Sequence, residues 1–228
     1  FRSDVRKFGW IGNTTQSPNV VTSWHATGIT KIEQVMEKEL VVGAPGLAST
    51  SYIYPAALNQ LVGTKFKIVT GYPGGNDVNL AMEKGEVGGR GSNSWPSWKS
   101  GHPHWIAEKK IFQLVQIALE RAKDLPDTPL MLELAKNEED RQVLTFLSAD
   151  MGISRAFVTT PDVPPDRLAA LRKAFASLMA DPEFLADAAK AKMDLEPSSG
   201  EAAQKVAETM LGYSPRIYQR AKAIIEGK

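Results

Sequence analysis

Two glycine-rich turns, each placed between a short apolar segment and a helix-like segment, constrain this chain the most. The first turn follows residues 40–42 and the second follows residues 66–69. The helix after each turn would end at a glycine, Gly63 or Gly85, the residue that most readily adopts a left-handed conformation at a helix end. A third apolar segment follows around Val87. This recurring order is typical of β-α-β units, so the sequence predicts an α/β protein with parallel strands.

The two turns also indicate what the chain could bind. Small ligands of parallel sheets lie beyond the carboxyl ends of the strands, where such turns and the following helix N-termini meet. Backbone N–H groups and the positive end of a helix dipole favour a negatively charged group there. The sequence therefore predicts a site for a small anion.

Composition excludes several classes of function. The 228 residues contain 27 Lys and Arg against 26 Asp and Glu, so no charge excess suggests a nucleic-acid partner. The chain has no cysteine, which excludes disulfides, thiolate metal sites and thiol catalysis. The first turn lacks the Lys of a phosphate-binding loop, and the sequence has no Gly-x-Ser-x-Gly nucleophile motif. We therefore predict neither an enzyme nor a cofactor.

The chain changes character at about residue 154. Before it, short strands alternate with short helices, whereas afterwards the pattern is mainly helical. The long helix after Pro165 carries an apolar stripe at Leu168, Leu171, Phe175 and Leu178. Such a stripe needs a sheet to pack on, and the later part of the sequence offers a single obvious strand.

Several segments together resemble the Bug-type receptors, the extracytoplasmic binding proteins of tripartite tricarboxylate transporters. The segments that carry this resemblance are residues 63–72, 80–89, 124–129 with 133–135, 137–142, 163–172 and 181–185. They extend over nearly the whole chain. Each segment is short, and the resemblance rests on the set.

The resemblance implies an α/β fold of the periplasmic-binding-protein type II (Venus flytrap) class, with two lobes hinged around a ligand. It implies a periplasmic protein that captures a small organic carboxylate for the membrane subunits of a tripartite tricarboxylate transporter. Nothing in the sequence matches the Gly/Pro-rich segment that begins the first lobe of such receptors, so we expect that lobe to be incomplete. Residues 1–17 would then end a first-lobe segment, 18–154 form the second lobe, and 155–228 return to the first. Apolar surface left uncovered on an incomplete lobe would favour self-association.

The resemblance also implies which residues contact the ligand. On the first turn they are Gly46, Ser49, Thr50 and Ser51, and on the second they are Tyr72, Gly74, Gly75, Asn76 and Asp77. Arg90 follows the third apolar segment and could donate two hydrogen bonds to a carboxylate. The pair His102 and His104 has no third ligand nearby in the sequence, so we interpret it as surface or packing residues rather than a metal site.

Two other functions remain open at this point. The same two-lobed fold could serve as the effector-binding domain of a transcription regulator, which would need a DNA-binding helix-turn-helix elsewhere in the protein. The turns could also belong to an enzyme that acts on small anions, which turnover assays would detect. The sequence does not identify the solute or the oligomeric state.

Overall fold

The computed structural model describes residues 4–191, 193 and 195–227 of the chain. The strands in this part are β1 (Gly9–Asn13), β2 (Asn19–Trp24), β3 (Leu40–Ala44), β4 (Phe66–Thr70), β5 (Gly89–Ser94), β6 (Ile111–Ile117), β7 (Ala156–Thr159) and β8 (Ser198–Ser199). The α-helices are α1 (Ile32–Glu37), α2 (Thr50–Ala57), α3 (Gly75–Glu83), α4 (Trp95–Gly101), α5 (Pro103–Ala107), α6 (Glu138–Ser148), α7 (Pro165–Met179), α8 (Pro182–Lys190), α9 (Gly200–Leu211) and α10 (Pro215–Ile225). No helix among the described residues combines the length and the apolar character needed to cross a bilayer.

The chain divides into two compact units. Unit 1 contains Phe1–Ser17 and Ala149–Tyr213, and unit 2 contains Pro18–Ser148 and Ser214–Lys228. The sequence placed the segment boundaries after residues 17 and 154 and kept 155–228 together. In the structure the chain passes from one unit to the other after residues 17, 148 and 213. The last helix, α10, therefore belongs to unit 2. Residues 1–3 of the predicted segment 1–17, and residues 192, 194 and 228 of the predicted segment 155–228, lie outside the described residues.

Unit 2 is built on a five-stranded sheet with the order β4-β3-β5-β2-β6. β3 pairs in parallel with β4 and with β5, while β2 is antiparallel to both β5 and β6. The predicted parallel strands are confirmed, although the third begins at Gly89 and not at Val87. The two predicted helix ends are also confirmed. α2 continues as a π-helix over Leu58–Val62 that ends at Gly63, α3 is followed by Gly85, and these two glycines have φ values of 89° and 74°.

One core cluster of unit 2 is rich in tryptophan. Trp24, Trp95, Trp98 and Trp105 are buried and pack with Val78 and Met82 of α3. The Trp24 and Trp105 rings meet edge to face with centroids 4.8 Å apart, a favoured aromatic geometry. This cluster holds α3, α4 and α5 together beside β5.

The last helix is attached to unit 2 by apolar and ionic contacts. Ile217, Ala221 and Ile224 of α10 are buried, as the spacing of its apolar residues requires. Arg220 reaches Asp140 at 2.6 Å and Glu139 at 2.8 Å, both at the start of α6. These contacts join the end of the chain to a helix more than seventy residues earlier.

Unit 1 has a three-stranded antiparallel sheet in the order β7-β1-β8. Trp10 of β1 packs on Ala203 and Ala207 of α9. The predicted stripe of α7 finds its sheet here, because Leu168 and Phe175 lie against Gly9 and Gly12 of β1. The other two stripe residues, Leu171 and Leu178, do not share this packing and are 41% and 44% exposed. The sequence pattern did not reveal this sheet because its central strand comes from the start of the chain.

Candidate functional site

A polar cavity of 380 Å³ lies in unit 2 where α3, β5 and α4 meet. Its lining residues are Gly74, Gly75, Asn76, Asp77, Asn79, Arg90, Asn93, Ser97, Gly101 and His102. Arg90 is a fixed positive charge in this wall, and Asp77 is an exposed negative charge. The second predicted turn therefore borders a cavity large enough for a small organic molecule.

Gly75 and Arg90 lie in direct contact at the start of α3. A Cβ atom added to Gly75 would overlap the Arg90 guanidinium, with Cζ only 2.6 Å away. Glycine therefore allows the guanidinium to lie flat against the first residue of this helix. The same addition at Gly74 would meet nothing closer than the Asp77 Oδ2 atom at 3.5 Å, an ordinary contact.

The Arg90 side chain is held by three contacts. Its Nε donates to the Ser92 carbonyl at 3.0 Å, and its Nη1 donates to Asn79 Oδ1 at 3.1 Å. The guanidinium also lies 5.6 Å from the centre of the Trp98 ring, within the range of a cation–π contact. No carboxylate among the described residues forms an ion pair with it. Burial without a countercharge lowers the pKa of Arg90 to about 10.

Asn79 connects Arg90 to a histidine. Its Nδ2 lies 3.0 Å from His102 Nε2, on the side of the amide opposite Arg90. The His102 ring stacks on Trp105, with centroids 4.2 Å apart and planes 22° from parallel. His102 thus lines the cavity and is fixed by its neighbours, so the interpretation of it as a packing residue is incomplete.

The first predicted turn lies beside the second but does not line this cavity. Gly71 of the second turn donates its N–H to the Pro45 carbonyl at 3.3 Å. The Ser49 hydroxyl donates to the Gly46 carbonyl at 2.6 Å, and the buried Ser51 hydroxyl donates to the Ser92 carbonyl at 3.0 Å. Thr50 is exposed at the first position of α2. The hydroxyls of Ser49 and Ser51 thus already donate within the protein.

The predicted site residues fall into two groups. Gly74, Gly75, Asn76, Asp77 and Arg90 share the cavity, whereas Gly46, Ser49, Thr50, Ser51 and Tyr72 are outside its lining. The Tyr72 ring covers Gly43 and packs on the tryptophan cluster, and its pKa is raised by burial and then by Glu86.

Sequence reasoning missed Asn79, Asn93, Ser97, Gly101 and His102 as cavity residues. For Asn79 a signal existed, because it lies four residues after Gly75 on the same face of α3. His102 carries no such signal, since it approaches Asn79 only through the packing of α4 on β5 and of α5 on β6. In the described part of the chain, no three His, Asp or Glu side chains are grouped to hold a metal ion.

Comparison with known proteins gives matches in structure and none in sequence. No family model matches the chain, and no curated protein is similar to it in sequence. A ligand-free TctC solute-binding protein from Polaromonas superposes with a TM-score of 0.70 at 17% identity, covering 100% of this chain and 72% of that one. An adipate-bound protein of R. palustris gives 0.57 at 14% identity, covering 96% of this chain and 69% of that one.

The periplasmic binding protein BugD is a third match. It has a TM-score of 0.53 at 17% identity, covering 95% of this chain and 69% of that protein. The resemblance stated from the sequence is confirmed at the level of the fold, since the solved structures include both TctC and Bug proteins. The α/β fold of this chain is that of the periplasmic solute-binding proteins of the TctC and Bug type.

Proposed function

We propose that this chain is an extracytoplasmic solute-binding receptor that captures a small organic carboxylate in the cavity around Arg90. The observation that carries the proposal is that Arg90 is half-buried in the cavity wall and forms no ion pair with any carboxylate among the described residues. A charge that is partly removed from water and has no partner is costly, and an anion in the cavity would reduce that cost. The wall of the cavity thus contains a charge that a bound carboxylate would neutralise.

The shape of the guanidinium supports a carboxylate in particular. Nε and Nη1 donate to the protein, and no hydrogen bond within the described residues uses Nη2. A planar guanidinium edge matches the two oxygens of a carboxylate, whereas an ammonium group has no such geometry. The amide groups of Asn76, Asn79 and Asn93 and the hydroxyl of Ser97 supply further polar groups for the rest of the solute.

The solved structures support the class of solute and the location. One matching protein holds adipate, a dicarboxylate, and others are described as a solute-binding protein, a periplasmic binding protein and a periplasmic transporter. On this basis we propose a periplasmic location and delivery to the membrane subunits of a tripartite tricarboxylate transporter. Gly74, Gly75, Asn76 and Asp77 would contact the solute with Arg90, while Gly46, Ser49, Thr50, Ser51 and Tyr72 stay predicted contacts.

Calorimetric titration with acetate, lactate, succinate and adipate tests the proposal. At least one of the four should bind saturably, and Arg90→Gln should weaken that binding by about thirtyfold or more, because a charge-assisted pair is lost. Arg121→Gln is the matched control, since Arg121 is an exposed arginine of unit 2 that pairs with Glu133 outside the cavity. The proposal is refuted if none of the four compounds binds, or if both variants bind as the unchanged protein does.

A further inference from the structure

His102 shares the cavity wall with Arg90, and a single amide separates them. Arg90 Nη1, the Asn79 amide and His102 Nε2 form one continuous chain of hydrogen bonds, with distances of 3.1 and 3.0 Å. Asn79 is buried at 4% exposure. The directions of these two hydrogen bonds are therefore tied to each other.

Arg90 determines those directions. A guanidinium can only donate, so the Asn79 atom facing it must be the carbonyl oxygen. The amide nitrogen then faces His102 and can only donate, so His102 Nε2 must accept. An accepting Nε2 means a neutral ring with its proton on Nδ1. The arrangement seen in the structure thus requires His102 to be uncharged.

Protonation of His102 would leave two N–H donors facing each other somewhere along this chain of hydrogen bonds. If the Asn79 amide stayed as it is, its N–H₂ would face the new Nε2 proton. If the amide rotated by half a turn, its N–H₂ would face Arg90 Nη1 instead. Either way one N–H donor loses its acceptor, and the wall of the cavity gains a positive charge. An anion in the cavity could accept from that donor and neutralise that charge.

The charged groups around His102 favour the neutral ring in the absence of an anion. The pKa of His102 is lowered from 6.5, first by burial and then by His104, while Glu83 opposes and Arg90 adds to the effect. Lys99 of α4 is paired with Asp124 at 3.1 Å. Asp77 is the acidic residue in the cavity lining.

Resting on the carboxylate receptor proposed above, we propose that His102 is a second anion-binding group of the cavity, which takes up a proton as the carboxylate enters. Protonation and anion binding then promote each other, because linkage between two sites is reciprocal. The affinity for the carboxylate increases as the pH falls through the range in which His102 titrates. Binding raises the pKa of His102, and part of a proton is absorbed for each anion bound.

The test measures affinity and proton uptake together. Acetate, lactate, succinate and adipate are titrated calorimetrically between pH 8.0 and 6.0, in buffers of different ionisation enthalpy. We expect the affinity of the unchanged protein to increase by about fivefold or more over this range, with net proton uptake near pH 6.5. His102→Gln should remove this dependence, because the Gln carbonyl oxygen can accept from Asn79 but cannot be protonated in this range. The pH dependence that remains in His102→Gln measures the protonation of the carboxylates themselves.

His104→Gln is the matched control, since His104 is an exposed neighbour that does not line the cavity. It should retain the pH dependence. A second measurement uses the unchanged protein alone, in case His102→Gln does not fold. The chain has only three histidines, so NMR can follow the His102 ring, whose pKa should rise on saturation with the bound carboxylate.

The outcomes separate the two proposals. If none of the four carboxylates binds, the receptor proposal fails and this inference fails with it. If one of them binds with the same pH dependence in the unchanged protein and in His102→Gln, only this inference is wrong. A His102 ring that is already cationic at pH 7 without ligand, or whose pKa does not move on saturation, also refutes it.

Discussion

Replacing Gly75 with alanine is the sharpest test of the cavity, because one methyl group acts directly on Arg90. The new Cβ would occupy space that the guanidinium now fills. The obstructing atoms belong to the end of a flexible side chain, so we expect Arg90 to move away rather than the helix to unfold. Its hydrogen bonds to Ser92 and Asn79 would break.

The effects on stability and on binding should differ in size. Loss of two hydrogen bonds from a charged donor costs about 2–3 kcal/mol at most once water replaces the protein acceptors. Alanine in place of glycine in a helix stabilises the folded state by about 0.5–1 kcal/mol. The unfolding free energy should therefore fall by about 1–2.5 kcal/mol at most. Binding would lose the bidentate pair with the carboxylate, about 3 kcal/mol or roughly a hundredfold in affinity.

Gly74→Ala is the comparison variant, because it adds the same methyl group one residue earlier, where an added Cβ would meet only Asp77 Oδ2 at 3.5 Å and would leave Arg90 in place. Gly74 also lines the cavity, so this variant measures the effect of a methyl group beside the solute when Arg90 has not moved. Urea unfolding gives the stability of both variants, and calorimetry with the carboxylate that binds the unchanged protein gives their affinities. Trp98, which lies beneath Arg90, offers a fluorescence signal for the displacement. If Gly75→Ala binds normally, or if Gly74→Ala loses as much affinity, Arg90 is not positioned by Gly75 for binding.

Two further predictions concern charge. Asp77→Asn should tighten carboxylate binding about two- to fivefold in calorimetry, because Asp77 places an exposed negative charge beside the bound anion. Weaker binding would contradict this and would mean that the Asp77 carboxylate accepts a hydrogen bond from the solute. Arg220→Gln should lower the unfolding free energy of unit 2, measured by urea unfolding, by about 2–3 kcal/mol. The reason is that Asp140, whose side chain is 10% exposed, would lose its cation. Arg216→Gln is the control and should lower it by less than about 0.5 kcal/mol, because that arginine is 76% exposed; equal losses would show that burial of the ion pair does not matter.

The parallel part of unit 2 could be predicted because its signals are local. Apolar strands, glycine turns and helix-ending glycines are read within a few residues of each other, and Gly63 and Gly85 have the predicted positive φ values. The side chain that caps the start of a helix was harder to predict from the sequence. Thr30 and Glu33 have the spacing of a capping box at the start of α1, whereas in the structure Gln34 Oε1 accepts from the N–H groups of Thr30 and Lys31 at 2.8 and 3.0 Å. Either side chain suits the position, and packing decides between them.

The candidate site was predictable on one side only. The turn residues around Gly75 follow from the end of β4, which the sequence pattern locates. Arg90 was expected after the third apolar segment, whereas it lies inside β5. His102 depends on how two short helices pack, and no periodicity reports such an arrangement. The sheet of unit 1 was missed for a similar reason, since β8 has two residues and β1 lies far away in the sequence.

The attachment of α10 to unit 2 has a consequence for synthesis. Its contacts join it to α6, more than seventy residues earlier, and to α2, which is earlier still, so they form only after α10 has been made. Until α10 has been made and has left the ribosome, the apolar groups that Ile217 and Ile224 cover have no partner, and Glu139 and Asp140 have no arginine. Unit 2 begins at residue 18 but cannot complete its fold before α10 is available, which comes after the second segment of unit 1, and it therefore depends on protection from aggregation until then.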